Sequence, residues 1–282
     1  MVETKLEMKK ILLMLSLAAL VSCAPQEYSL TWRKHVIDGH LTGVTAPNAD
    51  NVPEALGTVA GGVYTAPNGK VFRSGSTPAV ANALIAVQPQ MARLKEVLGH
   101  APVEMIKDRP ESGLSNMVAD ILRAEVAELS GRQVDVAITN YGGIRIDLPA
   151  GDILLDDVVS MLPFHNQLCY LTLKGCDLRN IFDFMAKTEP QAVSGVRLVI
   201  EDHKLVSAEV DGQPLDDNKL YGVATVDFLL DGGDELYVAK NAKELVIYEE
   251  EPSAMFEKYL RSQTAAGKEI EYASDGRVIW KR

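Results

Sequence analysis

Hydrophobic positions change their spacing repeatedly along this chain, and each change marks a new element. From Thr77-Pro78 the apolar residues Ala81, Leu84, Ile85, Met91, Leu94 and Leu98 recur at helical spacing, with Pro89 as a break and Gly99 as a stop. Pro102-Val-Glu-Met-Ile106 reads as a short strand. Ser112 or Ser115 caps a second helix, whose Met117, Val118, Ile121, Leu122, Val126 and Leu129 fall on one face before Gly131 ends it. Val134-Asp-Val-Ala-Ile-Thr139 is rich in β-branched residues, the pattern of a buried strand. A short helix near 155–161, a strand over Gln167–Leu173 and a helix over Asp177–Lys187 follow. Strands are predicted at 196–200, 205–210, 220–226 and near 243–248, then an amphipathic helix from Pro252 and a final strand at Val278-Ile-Trp280.

Helices and strands thus mix without strict βαβ alternation, which predicts an α+β fold, a mixed β-sheet with packed helices. Residues 23–78 are turn-rich and form an irregular extension, with one hairpin signal at Asn68-Gly69 between Val63-Tyr64 and Lys70-Val71-Phe72. The folded domain is expected over 79–282.

The first residues change the picture of where the protein works. Lys9-Lys10 precede the apolar run Ile11–Val21, which is too short to span a bilayer, and Leu20-Val-Ser-Cys23 is similar to a bacterial lipobox. Residues 1–22 are read as a lipoprotein signal peptide. The similarity implies cleavage before Cys23, acylation of its thiol, and tethering to the cell envelope by lipid alone, facing the periplasm. The remaining chain carries 25 positive against 37 negative side chains. That balance argues against duplex nucleic acid as a partner, yet a few local arginines still suit a small anionic ligand.

Besides Cys23 there are Cys169 and Cys176, one on a strand and one opening a helix. They are expected to be two buried free thiols rather than a disulfide, and they fit no zinc pattern. His35 and His40 read as surface or packing residues. The carboxylate pairs Asp156-Asp157 and Asp216-Asp217 read as solvated turns.

Candidate chemistry gathers in three loops. Asp108-Arg-Pro-Glu-Ser-Gly-Leu-Ser-Asn116 precedes a helix N-terminus; Asn140-Tyr-Gly-Gly-Ile-Arg145 follows the 134–139 strand and leads on to Phe164; Phe228-Leu-Leu-Asp-Gly-Gly-Asp234 follows the 220–226 strand. On its own the Asn140–Arg145 stretch reads as a polar turn. Its glycines lack a Cβ and let the backbone approach another group closely. Ligands of open α/β sheets bind at strand carboxyl ends, where an arginine offers a planar fork of donors to phosphate or carboxylate. Two guanidinium groups, two aromatics and a carboxylate are what a nucleotide needs: flat faces for the base, an acceptor for ribose hydroxyls and cations for phosphate.

This ordered set resembles the C-terminal substrate-binding domain of the 5′-nucleotidase family, which includes bacterial UDP-sugar hydrolases. The matching residues are Arg109 with Glu111 and Asn116, Asn140-x-Gly-Gly-Ile-Arg145, Gly151, Pro163-Phe-x-Asn166, Leu173-x-Gly175 and Phe228-x-x-x-Gly-Gly-Asp234, across roughly 80–282. The resemblance implies that Phe164 and Phe228 sandwich the base and that Asp234 holds the ribose hydroxyls. It further implies that Arg109 and Arg145 face phosphate, and that Asn140 and Asn166 meet base or sugar edges. Three departures stand out: Arg109 sits one residue closer to Glu111 than is common, Tyr141 replaces a frequent glycine, and Asp231 and Glu235 add negative charge near Asp234.

In two-domain members of the family, hydrolysis belongs to an N-terminal metallophosphoesterase domain with two metal ions held by D-x-H, G-N-H-[DE] and G-H-x-H motifs. The five histidines here are read as lying outside them, and the ~55 residues before the domain are too few for that fold. No G-x-S-x-G or Cys/His catalytic set replaces it. The chain is therefore expected to carry no catalytic residue, metal ligand or cofactor of its own. It reads as the nucleotide-binding half of a split enzyme, with divalent metals on a separate metallophosphoesterase subunit. The alternatives are a non-enzymatic lipid-anchored nucleotide- or nucleoside-binding protein, and an interaction module that has lost the pocket.

Overall fold

The computed structural model describes residues 39–47 and 50–281. The signal segment, Cys23 and His35 lie outside the described residues.

The site is positioned by a five-stranded sheet. Its strands are β5 (Val136–Thr139), β7 (Leu168–Lys174), β8 (Ala192–Ser194), β12 (Leu220–Val226) and β13 (Glu244–Tyr248), in the order β13-β7-β12-β5-β8. β5 and β12 are neighbours and parallel, with Val223 opposite Val136 and Ala224 opposite Ala137. All four residues of β5 are buried, as a strand flanked on both edges and covered on its faces requires. β7 runs antiparallel to β12 with Leu168 opposite Val226, and β8 antiparallel to β5 with Ala192 opposite Thr139.

The helix α3 (Gly113–Ser130) packs across this sheet with Met117, Val118, Ile121, Leu122 and Val126 buried. Of the two serines offered as caps, Ser112 takes the position: its Oγ accepts from the Ser115 backbone N–H at 3.2 Å, and Ser115 Oγ accepts from the Ser112 N–H. Gly131 closes the helix in the left-handed region at φ 62°. The helix α5 (Gly175–Lys187) lies between β7 and a second sheet, made of β9 (Val196–Glu201), β10 (Lys204–Val210), β11 (Gln213–Pro214) and β14 (Val278–Lys281). A two-stranded pair, β4 (Val97–Ala101) with β6 (Gly151–Leu154), carries α6 (Pro252–Ala265), which also packs on α3. The short helix α4 (Leu155–Met161) continues from β6.

Towards the N-terminus, β1 (Thr58–Ala60), β2 (Val63–Thr65) and β3 (Val71–Phe72) form a three-stranded antiparallel sheet. The helices α1 (Val52–Leu56) and α2 (Thr77–Met91) pack beside it. The β2–β3 turn is the hairpin signalled by Asn68-Gly69, with Gly69 at φ 83°.

Several local expectations are corrected. The first helix stops at Met91, and Leu98 and Gly99 belong to β4; Leu98 is buried against the core, so an apolar residue at helical spacing was a strand residue. Residues 102–106 form no strand, only an isolated bridge from Met105 to Leu148. Cys169 is buried and free, but Cys176 is exposed, because the first turn of α5 faces solvent there. The carboxylate pairs are not simply solvated. Asp157 Oδ2 accepts from the Leu154 N–H at 2.7 Å, and Asp217 pairs with Arg179 at 2.7 Å.

Candidate functional site at one end of the central sheet

Strand direction explains why residues so distant in sequence meet. Because β5 and β12 are parallel neighbours, Asn140 and Asp227-Phe228 emerge side by side from their carboxyl ends. Because β7 and β8 are antiparallel to these strands, Phe164-His-Asn166 and Glu189-Pro-Gln191 enter at that same end. Backbone bonds tie the loops together: the Asp227 N–H donates to Gln167 O at 2.9 Å, and the Arg145 N–H donates to Met161 O at 2.8 Å.

Asn140 is buried, and its Nδ2 donates to Asp234 Oδ2 at 2.8 Å across 94 residues of sequence. A carboxylate accepts only, so this contact fixes the Asn140 amide with its nitrogen towards Asp234 and its Oδ1 towards Gly143. A Cβ on Gly143 would lie 2.9 Å from that Oδ1. The paired glycines therefore let the chain turn tightly round the Asn140 amide. Asp234 and Glu235 both sit in the left-handed region, at φ 48° and 60°, after Gly232 at φ 103°. A Cβ on Gly233 would meet Phe228 O at 2.0 Å and the Phe228 ring at 2.7 Å, so the loop closes directly onto that aromatic.

A narrow cleft opens beside these groups, walled by Thr139, Asn140, Gly143, Phe164 and Asn166 together with apolar residues such as Leu122, Leu162 and Met255. Phe164 and Phe228 are each 45% exposed. The Arg145 guanidinium lies 5.7 Å from the Phe164 ring centre and donates to Gly142 O at 3.2 Å. Among the described residues Arg145 makes no ion pair. The structure thus joins Asn140 to Asp234, Phe228 to Gly233 and Arg145 to Phe164, and sets Asn166 in the same cleft wall.

Arg109 is placed differently. Its guanidinium stacks 4.5 Å over the ring of Tyr141, with Nη2 3.3 Å from Glu189 Oε2 and Nε donating to Pro190 O at 3.4 Å. Tyr141 itself is buried, donates from its hydroxyl to Pro110 O at 3.0 Å, and receives Gln191 Oε1 on its backbone N–H at 3.0 Å. Burial pushes the Tyr141 phenol up to about 12. Asn116, one of the motif matches, is buried and bonds Glu111 at 2.7 Å, fastening the Arg109 loop to α3. Sequence reasoning passed over Glu189 and Gln191, and marked Tyr141 only as the replacement of a frequent glycine.

Among the described residues no group of three or more His, Cys, Asp or Glu side chains could hold a metal ion. One motif match escaped the sequence reading: Asp38-Gly-His40 does spell D-x-H, although Asp38 lies outside the described residues.

Comparison with known proteins agrees with the fold. The chain is 32% identical over 191 residues to the cell wall protein Lmo0130 of Listeria monocytogenes, covering 62% of this chain and 24% of that protein. It is 33% identical over 122 residues to the protein UshA of Yersinia enterocolitica, covering 42% of this chain and 22% of that one. The chain thus spans about a quarter of the length of these relatives. A 5′-nucleotidase precursor of Thermus thermophilus superposes with a TM-score of 0.64 at 26% identity, over 73% of this chain and 43% of that one. The profile of the 5′-nucleotidase C-terminal domain matches residues 96–241, from the start of β4 to the turn before β13. Over half of the sequence is matched by that profile, and the protein belongs to the 5′-nucleotidase C-terminal domain family.

Proposed function

We propose that this chain is the nucleotide-binding half of a split periplasmic 5′-nucleotidase acting in nucleotide catabolism, in which hydrolysis requires a separate metallophosphoesterase chain with its divalent metals. The observation that carries the reading is the Asn140–Asp234 hydrogen bond. It ties the two strand-end loops together at a cleft that holds one aromatic, Phe164, while a second, Phe228, stands on the loop that Asp234 closes. In this reading Phe164 and Phe228 take the base, Asp234 takes the ribose hydroxyls, and Asn140 and Asn166 meet polar edges. Arg145 meets phosphate first, with Arg109 behind it. In the same reading, lipid on Cys23 of the lipobox-like Leu20–Cys23 segment holds the chain at the cell envelope, and the cell wall relative from Listeria supports an envelope location.

Titration calorimetry of the purified chain with adenosine and AMP should give saturable binding. Phosphate release from AMP should appear only when a metallophosphoesterase subunit and divalent metal are added. No binding of either ligand, or phosphate release from this chain alone, would overturn the reading.

A further inference from the structure

The three consecutive residues before β8 all engage the edge of the site. The Glu189 carboxylate pairs with Arg109 Nη2, the Pro190 carbonyl accepts from Arg109 Nε, and the Gln191 side chain accepts from the Tyr141 N–H beside Asn140. With the Tyr141 ring under its face, Arg109 has one donor edge and one face committed, and its charge is offset by a carboxylate. The other cations nearby are unequal. Lys107 Nζ is bonded to the Ile144 carbonyl, whereas Arg145 makes no ion pair among the described residues. Against these stand Asp231, Asp234 and Glu235, all exposed on the facing loop. Each further phosphate on a ligand adds charge that this balance does not offset.

We propose that Glu189 is a specificity-determining residue: by holding Arg109 it biases the site towards nucleosides and nucleoside monophosphates over di- and triphosphates. The proposal rests on the nucleotide-binding reading and refines it. A longer phosphate chain would have to take Arg109 from a carboxylate already in place. Both partners are partly exposed, with 35% and 55% of their side chains accessible, so the pair is weak enough to be competed with but strong enough to bias the outcome.

The test is calorimetry of the full chain with adenosine, AMP, ADP and ATP at constant ionic strength. The native protein should bind AMP more tightly than ADP, and ADP more tightly than ATP. Glu189→Gln should tighten ADP and ATP roughly two- to fivefold, tighten AMP less and leave adenosine unchanged. The gain should vanish in Glu189→Gln combined with Arg109→Ala. A change of equal size for all four ligands would assign Glu189 to structure alone and overturn the proposal. So would an unchanged ADP to AMP ratio, or native affinity that rises with phosphate number. Failure of adenosine and AMP to bind at all would instead remove the underlying nucleotide reading.

Discussion

Asn140→Ala removes the side-chain hydrogen bond that joins the loop after β5 to the loop after β12. The lost bond is 2.8 Å long and charge-assisted, a class worth about 1.5–3 kcal/mol when one partner is ionised. Asp234 is exposed, so water replaces part of the contact and the lower end applies, about 1.5 kcal/mol. Asp234 and Glu235 both keep left-handed backbones, a conformation that non-glycine residues hold only when their surroundings enforce it. Without the amide the carboxylate loses its fixed direction, and adenosine affinity should fall roughly tenfold. Asn140→Asp is the sharper variant. It sets a second carboxylate where the amide donated, so like charges repel across the contact until one of them takes a proton. Its affinity should fall further at pH 7 and recover as the pH drops through the carboxylate range, while the native protein shows no such recovery. The assay is adenosine titration from pH 4.5 to 8, with thermal melting as the control for folding. Binding within twofold of native for Asn140→Ala, or a flat pH profile for Asn140→Asp, refutes the claim that this bond organises the site.

Phe228→Ala should weaken adenosine by about 1–3 kcal/mol without a matching fall in melting temperature, since the ring is half exposed; an equal loss of stability in chemical denaturation would mark it as a packing residue instead. Under native conditions at pH 8, peptide mapping after thiol labelling should find Cys176 modified and Cys169 protected. Burial, with the Asp227 carboxylate adding to it, pushes the Cys169 thiol from 9.0 up to about 12. Keeping that thiol neutral contributes stability that is complete below about pH 9 and is lost as pH rises towards 12, so Cys169→Ala should flatten the alkaline end of the stability profile. Arg277→Ala should cost about 1.5–3 kcal/mol by urea denaturation. Arg277 is only 12% exposed, pairs with Asp120 at 2.7 Å and with Asp275 at 2.8 Å, and donates to Val193 O at 3.0 Å; its removal leaves the partly buried Asp120 carboxylate on α3 with the Tyr272 hydroxyl at 2.9 Å.

Legibility in the sequence followed the range of the interaction. The helix α3 could be read because its cap, its apolar stripe and its terminal glycine all lie within one continuous stretch. β5 could be read because a strand buried on both faces is apolar without alternation. β4 could not: Leu98 and Gly99 fit the end of a helix equally well, and the partner that decides the matter, β6, lies more than fifty residues downstream. β8 is three residues long, too short for a period to show. The motif residues at 140, 145, 164, 228 and 234 were named from resemblance, but nothing local says that their strands are parallel neighbours, and it is this pairing that gathers them.

The same distinction governs what residue type can say about charge. Arg109 and Arg145 look equivalent as letters, two guanidinium groups in two loops after secondary structure. In the fold one is held by a carboxylate, a carbonyl and an aromatic face, and the other rests on a half-exposed phenylalanine with no ion pair among the described residues. Neither Glu189 nor Gln191 carries any signal of its own, since a Glu-Pro-Gln segment before a short strand is ordinary turn chemistry. Their effect exists only because β8 runs antiparallel to β5, with Ala192 opposite Thr139, which delivers Gln191 to the backbone of Tyr141 and Glu189 to Arg109. Strand order therefore sets which cation remains available to a ligand, and two arginines alike by name need not present the same charge.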